Sequence, residues 1–171
     1  MRQDRGYGGK EVSMLELKTE HLFDSRATVK PFSEWMVVGD GGWGIRLIAP
    51  VTEGTVEGPR IKGVVRDFGA DWLVVRHDNV FVVDVRCVVE TDDGALIHMY
   101  YDGIMDVPDE KIAEMLGGDL PPFVARIHTT PRFETGHEKY QWLNKIKAVA
   151  IGEANSEKDP PEVRYSVYAL R

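Results

Sequence analysis

The fold class follows from the stretch Val80-Phe81-Val82-Val83-Asp84-Val85-Arg86-Cys87-Val88-Val89. Apolar residues occupy every second position, while Asp84 and Arg86 fall on the opposite face, which is the period of a half-buried β-strand. Asp92-Asp93-Gly94 then supplies a turn, and a partner strand resumes over Ala95–Tyr101. The stretch therefore predicts a β-hairpin.

The rest of the chain alternates in the same way between short strands and turn signals. Turn signals rich in Gly, Pro, Asn and Asp, such as those at residues 39–42, 68–71, 77–79 and 159–161, separate apolar runs of strand length. Further strands are predicted at Met36–Val38, Gly44–Ala49, Ile61–Arg66, Trp72–Arg76, Phe123–Thr129, Ile146–Gly152 and Val163–Ala169.

A single short helix is predicted near residues 108–116. Pro108 fits an early helical position, acidic side chains follow it, and Gly117-Gly118 ends the apolar stripe. About eight to ten antiparallel strands then indicate a sandwich or a closed barrel. We favour an all-β closed antiparallel barrel, because both faces of strands such as Ala125–His128 carry residues suited to burial. One face would then line a polar and aromatic lumen.

Composition bounds the class of protein. With 171 residues the chain is long enough for one barrel domain, which we place at residues 13–171 after a flexible, glycine-rich lead of residues 1–12. The formal net charge of −7 and the lack of basic clusters argue against a nucleic-acid partner. No apolar run has the length or the position of a membrane span or a signal peptide. A single cysteine, Cys87, fits a reducing compartment, so we expect a soluble, cytoplasmic protein.

A dense segment from Pro131 to Asn144 points to function. It combines Phe133, Tyr140 and Trp142 with both signs of charge, and it fits neither an amphipathic helix nor an alternating strand. Polar groups in such a segment need partners when they are buried. Polar residues set between aromatic ones are typical of small-molecule sites. The segment therefore predicts the wall of a site for a small molecule.

Five ordered motifs carry a resemblance to a known family. They are Glu53–Arg60, Gly69–Trp72, Asp84–Arg86, Thr91–Ile97 and the run from Thr130 through Asn144. In this order and spacing the chain, from about Leu15 to Arg171, resembles the domain-of-unknown-function 3237 family of small bacterial and fungal proteins.

The resemblance implies a compact antiparallel barrel similar to the calycin and allene-oxide-cyclase type. One branch of the family is associated with the catabolism of lignin-derived aromatic dimers, in which a carboxylated phenylcoumaran is decarboxylated and opened to a stilbene. The resemblance does not assign this chain to that branch. Family members carry Arg where His128 stands here, so a titratable group replaces a permanent cation.

Histidines on predicted strands are candidates for acid–base work. His128 and His98 are expected to face the lumen, where a histidine can act as a general base near neutral pH. A buried neutral histidine with one partner is the alternative, which we favour for His98 and leave open for His128. Tyr100 is the expected proton donor. Arg132 or Arg86 would orient a substrate carboxylate through a guanidinium fork. Asp84, two residues from Arg86, would take part in the site or form an ion pair that holds two strands in register.

Further residues are expected to bind substrate because they combine flat rings, cations or amides with predicted positions near these groups. They are Arg60, Trp72, His98, Arg126, Phe133, Trp142 and Asn144.

Neither a metal nor an organic cofactor is expected. His98, His128, Asp84 and Asp93 are ligand types, but none shows the short pairwise spacing of a metal site. No glycine-rich phosphate loop opens a helix.

These features predict a cofactor-independent lyase, a decarboxylase that acts on a small phenolic or aromatic carboxylic acid in the lumen, including a phenylcoumaran-type dimer. Loss of a phenol proton would expel an aryl-ether oxygen, and loss of carbon dioxide would restore aromaticity. Two alternatives stay open: a dehydratase, isomerase or cyclase on the same barrel, and a non-catalytic binder of a small apolar ligand. A homodimer is the expected assembly.

Overall fold

The computed structural model describes residues 15–171, so the predicted lead of residues 1–12 lies outside the described residues. Its strands are β1 (Thr19–Val29), β2 (Met36–Asp40), β3 (Gly44–Glu57), β4 (Lys62–Val65), β5 (Gly69–Asp71), β6 (Val74–Arg76), β7 (Phe81–Thr91), β8 (Leu96–Asp106), β9 (Val124–Thr129), β10 (Arg132–Glu134), β11 (Ala148–Asn155) and β12 (Glu162–Leu170). Helix α1 spans Asp109–Leu116, and two 3₁₀ helices span Phe32–Glu34 and Glu138–Lys145.

Eight of the strands close into an antiparallel barrel, which confirms the predicted fold class. Around the ring the order is β8, β9, β11, β12, β1, β3, β4 and β7, and β7 pairs with β8 to close it. The short strands β5 and β6 continue the wall between β3 and β7, while β2 pairs with β3 and β10 with β8. Closure pairs the strand edges that an open sheet would leave free.

The predicted hairpin forms the longest continuous pairing in the barrel. Strands β7 and β8 pair from Phe81↔Met105 to Glu90↔Leu96, and Gly94 takes a positive φ of 82° in the turn between them. Val83, Val85 and the alternating residues after them are buried, whereas their neighbours are partly or fully exposed. The period-two pattern therefore fixed both the pairing and the face that the hairpin buries.

Strand β1 is a long strand that the sequence pattern did not predict. Leu22 and Phe23 are adjacent and both are buried, because the pairing with β12 shifts register between His21 and Phe23. Such a bulge breaks the alternation on which strand prediction depends.

Helical segments cover the two ends of the barrel. Helix α1 is confirmed, and it buries Ile112 and Met115 against one end. The dense segment, predicted as neither helix nor strand, instead contains the 3₁₀ helix Glu138–Lys145, which buries Tyr140 and Leu143 against the other end. Asp93 in the hairpin turn holds this helix, since its carboxylate accepts hydrogen bonds from Tyr140 at 2.9 Å and from Lys139 at 2.5 Å. No helix among residues 15–171 has the length and apolar character needed to cross a membrane.

Candidate functional site

The barrel interior is mainly apolar, contrary to the expected polar and aromatic lumen. The inward faces enclose a cavity near helix α1 in which about 70 Å³ is open to the centre of a water-sized molecule. Aliphatic and aromatic side chains make up most of its wall, and its polar lining residues are Asp71, Tyr101, Asn155, Ser156, Glu162 and Tyr165. An apolar cavity with a few polar groups is the usual form of a small-molecule site.

Asp71 is a partly buried acid in the wall of this cavity. It lies at the end of β5 opposite Ala49 and Val85, two residues with buried side chains, and this register turns its carboxyl group inward. The backbone N–H of Asp84 donates a hydrogen bond to Oδ1 at 2.8 Å. Within residues 15–171, no protein hydrogen bond reaches Oδ2. One carboxyl oxygen is therefore fixed while the other is free to meet a ligand.

Burial raises the pKa of Asp71 from 3.8 to about 7. Loss of hydration is the largest cause, because removing a carboxylate from water disfavours its charged form. The Asp84 amide opposes this increase, the Asp84 charge adds to it, and the Arg46 charge opposes it. Asp71 can consequently take up or release a proton near neutral pH.

Two tyrosines share the cavity with Asp71. Tyr101 on β8 and Tyr165 on β12 meet with ring centroids 5.3 Å apart and planes inclined at 65°. Burial is the main reason that the pKa of each phenol lies above its ordinary value, and the neighbouring Asp71 charge raises both further. Both phenols are therefore neutral hydrogen-bond donors at physiological pH.

Gly152 makes room for the Tyr165 ring. The two residues are paired across β11 and β12, and a Cβ atom at Gly152 would lie 2.3 Å from Cδ1 of Tyr165. A side chain there would displace the ring.

The other polar groups of the cavity already have protein partners. The Ser156 hydroxyl donates to the carbonyl of Pro121 at 2.7 Å, and Oδ1 of Asn155 accepts the Glu157 N–H at 2.9 Å. Glu162 is ion-paired with Arg26 and, at 2.7 Å, with Lys158. Burial opposes ionisation of Glu162, but hydrogen bonds from these two cations outweigh it and lower its pKa. Glu162 is thus a fixed anion, whereas Asp71 is a group that can titrate.

His128 does not face the cavity, so the expectation of a lumen histidine is wrong. Ala125, Ile127 and Thr129 point inward along β9, and His128 lies on the exposed outer face. Its cross-strand neighbours there are Ile104 and Ile151. An eight-stranded barrel has an interior just wide enough for packed side chains, and apolar residues fill it here.

The other predicted catalytic residues do come together, but on the outside of the barrel. Tyr100 lies opposite both Arg86 and Arg132 in neighbouring strands, with the Arg132 guanidinium 6.0 Å from its ring centre. His98 stacks on Tyr100 at 5.1 Å, and Arg86 donates to Asp84 at 3.0 Å. The pairs of Tyr100 with Arg86 and Arg132 are cross-strand pairs, and those of His98 with Tyr100 and Asp84 with Arg86 lie within one strand, all on a half-exposed surface.

The predicted substrate-binding residues are spread over the same outer surface and the barrel end that the 3₁₀ helix Glu138–Lys145 covers. Arg86 lies 5.4 Å from the Trp72 ring centre. Arg60 lies 3.7 Å from that of Trp142. Asn144 exchanges two hydrogen bonds of 2.9 Å with the backbone of Thr135.

The remaining two substrate-binding candidates also lie away from the cavity. Phe133 is buried against Phe23 at 6.0 Å, and Arg126 is exposed opposite Glu153. All the predicted site residues are therefore absent from the cavity wall.

Sequence reasoning missed Asp71, Tyr101 and Tyr165, which line the cavity. Tyr101 continues the inward alternation of Ile97 and Met99, and that signal was available. Asp71 stood in a predicted turn, where its facing could not be inferred. Tyr165 lies on a predicted strand, but its approach to Tyr101 depends on the ring closing.

Among residues 15–171, the His, Cys, Asp and Glu side chains form no group of three that could hold a metal ion. Cys87 is buried, and burial raises the pKa of its thiol to about 12, so the thiolate is not formed at neutral pH. Independence of metals and cofactors stays a prediction.

Comparison with known proteins places the chain among small barrels. A UPF0311 protein of Rhodopseudomonas palustris is 34% identical over 144 residues, which cover 84% of this chain and 91% of that protein. A crystal structure of a protein of unknown function from the same organism has a TM-score of 0.78 and 30% identity, and it covers 92% of this chain and 100% of that one. A β-barrel-like protein of Acinetobacter baumannii reaches a TM-score of 0.73 at 31% identity, over 94% of this chain and 100% of its own.

A structure described as an enzyme from Penicillium herquei has a TM-score of 0.65 at 19% identity, over 95% of this chain and 100% of its own, which shows a shared fold. The family model described as "Protein of unknown function (DUF3237)" matches residues 17–170. The resemblance that the five sequence motifs indicated is thereby confirmed, and the chain belongs to the DUF3237 family.

Proposed function

We propose that the chain is a cofactor-independent acid–base enzyme that acts on a small, uncharged, mainly apolar ligand in its lumen. The observation that carries this proposal is a carboxyl group with a pKa of about 7, Asp71, in the wall of an apolar cavity that also holds two neutral phenols. A general base works best when its pKa lies near the working pH. The reaction class is isomerisation, cyclisation or dehydration.

The proposed chemistry needs no group beyond these side chains. Ionised Asp71 takes a proton from a carbon next to a ligand carbonyl. The C–H electron pair forms a new C=C bond, and the π pair of the C=O bond moves onto the carbonyl oxygen. A Tyr101 or Tyr165 hydroxyl donates a hydrogen bond to that oxygen, which stabilises the developing charge. The protonated Asp71 then returns the proton to another atom of the ligand.

The charges around the cavity favour this class over the decarboxylase expected from the sequence. Decarboxylation of an aromatic acid, including a phenylcoumaran-type dimer, needs a cation that receives the substrate carboxylate. The described cavity wall contains the acids Asp71 and Glu162 and no Arg, Lys or His. A carboxylate bound there would lose its hydration without gaining an opposite charge. An uncharged ligand meets no such cost.

Hydrogen–deuterium exchange tests the proposal without knowledge of the natural substrate. Acetophenone, 1-indanone and 2-tetralone would be incubated with the protein in D₂O, and NMR would follow loss of the proton next to the carbonyl. We expect catalysed exchange with the wild type and about a 10²–10⁴-fold slower rate with Asp71→Asn, because a general base contributes that factor. Asp102→Asn, the same change on the exposed face of β8, and His128→Ala should keep the wild-type rate.

Three outcomes would contradict the proposal. Exchange no faster than in buffer, with ligand binding intact by thermal shift, would support the non-catalytic binder instead. Full exchange by Asp71→Asn would remove Asp71 from the reaction. Tighter binding of 4-hydroxyphenylacetate than of a ketone of similar size would favour the decarboxylase.

A further inference from the structure

The barrel wall connects Asp71 to a charged pair on the outer surface. Two hydrogen bonds of the Asp84 backbone join β7 to the end of β5: the Asp84 N–H donates to the side-chain Oδ1 of Asp71, and the Trp72 N–H donates to the Asp84 carbonyl, each at 2.8 Å. Asp84 therefore contacts both Asp71 and the residue that follows it. Any movement of this part of β7 moves the fixed oxygen of Asp71.

The side chains of this region form a chain of contacts on the outside. The Asp84 carboxylate accepts a hydrogen bond from Arg86 at 3.0 Å, and the Arg86 guanidinium lies 5.4 Å from the centre of the Trp72 ring. Arg46 on β3 donates a hydrogen bond to the Trp72 carbonyl. The Asp84 carboxylate and the guanidinium groups of Arg86 and Arg46 thus surround the backbone that carries Asp71.

We propose that Asp84 and Arg86 act through the barrel wall as positioning residues that set the orientation and the protonation of Asp71. The inference rests on the proposed function, because it gives these outer residues a role in the same reaction. Neither side chain reaches the cavity, so neither is a catalytic residue. The backbone N–H of Asp84 holds the Asp71 carboxyl group in place, and the negative charge of the Asp84 side chain disfavours ionisation of Asp71. Arg86 offsets that negative charge through its ion pair with Asp84.

Other ionisable groups also act on Asp71. Tyr101 on β8 and Tyr165 on β12 face it within the barrel, and Arg46 on β3 favours its ionised form. These groups stay the same in the variants below. A change in the titration midpoint of Asp71 then reports on Asp84 and Arg86.

The experiment is a ¹³C NMR titration of the Asp71 carboxyl in protein labelled at aspartate, with Asp71→Asn used to assign the signal. Asp84→Asn keeps the amide donor and removes one negative charge, so we expect the midpoint to fall. Arg86→Gln leaves the Asp84 charge without its partner, so we expect the midpoint to rise. Each shift should be about half a pH unit, since both side chains are partly exposed to solvent.

A matched pair on the same strand gives the control. Glu90 on β7 is ion-paired with Arg66 at 3.0 Å on the same outer face, and Glu90→Gln should leave the Asp71 midpoint unchanged. Arg86→Lys keeps the charge and should restore most of the wild-type midpoint. Unchanged circular dichroism spectra would show that each variant is folded, and if Asp84→Asn does not fold, the Arg86 pair of variants decides the test.

Opposite shifts of the Asp71 midpoint in Asp84→Asn and Arg86→Gln, together with no shift in Glu90→Gln, would support the inference. Unchanged midpoints, shifts of the same sign or a wild-type midpoint near 4 would overturn it. The titration requires no turnover, so its result is separate from the exchange assay. Opposite shifts of the Asp71 midpoint in a protein that does not catalyse ketone hydrogen–deuterium exchange would support the coupling of Asp84 and Arg86 to Asp71. The same result would reject the proposed reaction.

Discussion

Among the single residues, Asp71 lowers the stability of the folded protein, because loss of hydration disfavours its ionised form. An acid with a raised folded pKa destabilises the fold where the unfolded chain is ionised and the folded chain is not. Below about pH 4 both states are protonated and the cost is absent. As pH rises from 3.8 to about 7 the unfolded state releases its proton first, so stability falls through this window and then levels off. Retention of a costly group in a cavity is common at functional sites.

This linkage predicts that Asp71→Asn stabilises the protein while it removes activity. At pH 8 the free energy of unfolding should rise by about 2–4 kcal/mol, because each unit of pKa shift corresponds to about 1.4 kcal/mol. Near pH 4 the gain should vanish. Urea denaturation at both pH values measures this, with Asp102→Asn as the exposed control. Equal stabilities of wild type and Asp71→Asn at pH 8 would show that burial does not raise the pKa of Asp71.

At the scale of elements, the sequence predicted what local alternation and turn chemistry determine. The β7–β8 hairpin and helix α1 agree with the structure, because Gly94 and Pro108 mark their limits locally. Strand β1 was missed because its bulge buries two adjacent residues. Facing was assigned wrongly on β9, because a polar lumen was expected and the polar face with His128 was therefore placed inside, whereas Ala125 and Ile127 are the buried residues. The choice depends on barrel width, which no single element encodes.

The contact between β11 and β12 gives an element-scale prediction. Gly152→Ala places a Cβ atom within 2.3–2.4 Å of the Tyr165 ring, so the ring must move. We expect a loss of about 1–3 kcal/mol in the free energy of unfolding, as for other overpacked interiors. Urea denaturation is the measurement. Gly136→Ala, where the added Cβ meets nothing within 4 Å, is the control and should cost far less. Equal losses for the two variants would mean that Gly152 is not required for the tyrosine pair.

At the scale of the whole molecule, the barrel separates two chemical environments. Its outer surface carries the aromatic and charged pairs that the sequence motifs emphasised. Within residues 15–171, its lumen has a mainly apolar wall that contains the titratable acid Asp71 and the phenols Tyr101 and Tyr165. The motif residues predicted the family correctly, but the candidate site could not be read from them. Asp71, Tyr101 and Tyr165 lie on β5, β8 and β12 and meet only when the ring closes. The homodimer expected from the sequence stays a prediction.

The pH dependence of ketone hydrogen–deuterium exchange tests the proposed acid–base role of Asp71 inside the barrel. For the wild type we predict a rate that rises with pH to a plateau, with a midpoint near 7, because the ionised form of Asp71 is the base. Asp71→Asn should show only the buffer rate at every pH. A midpoint near 4, or the same profile in Asp71→Asn, would contradict the account.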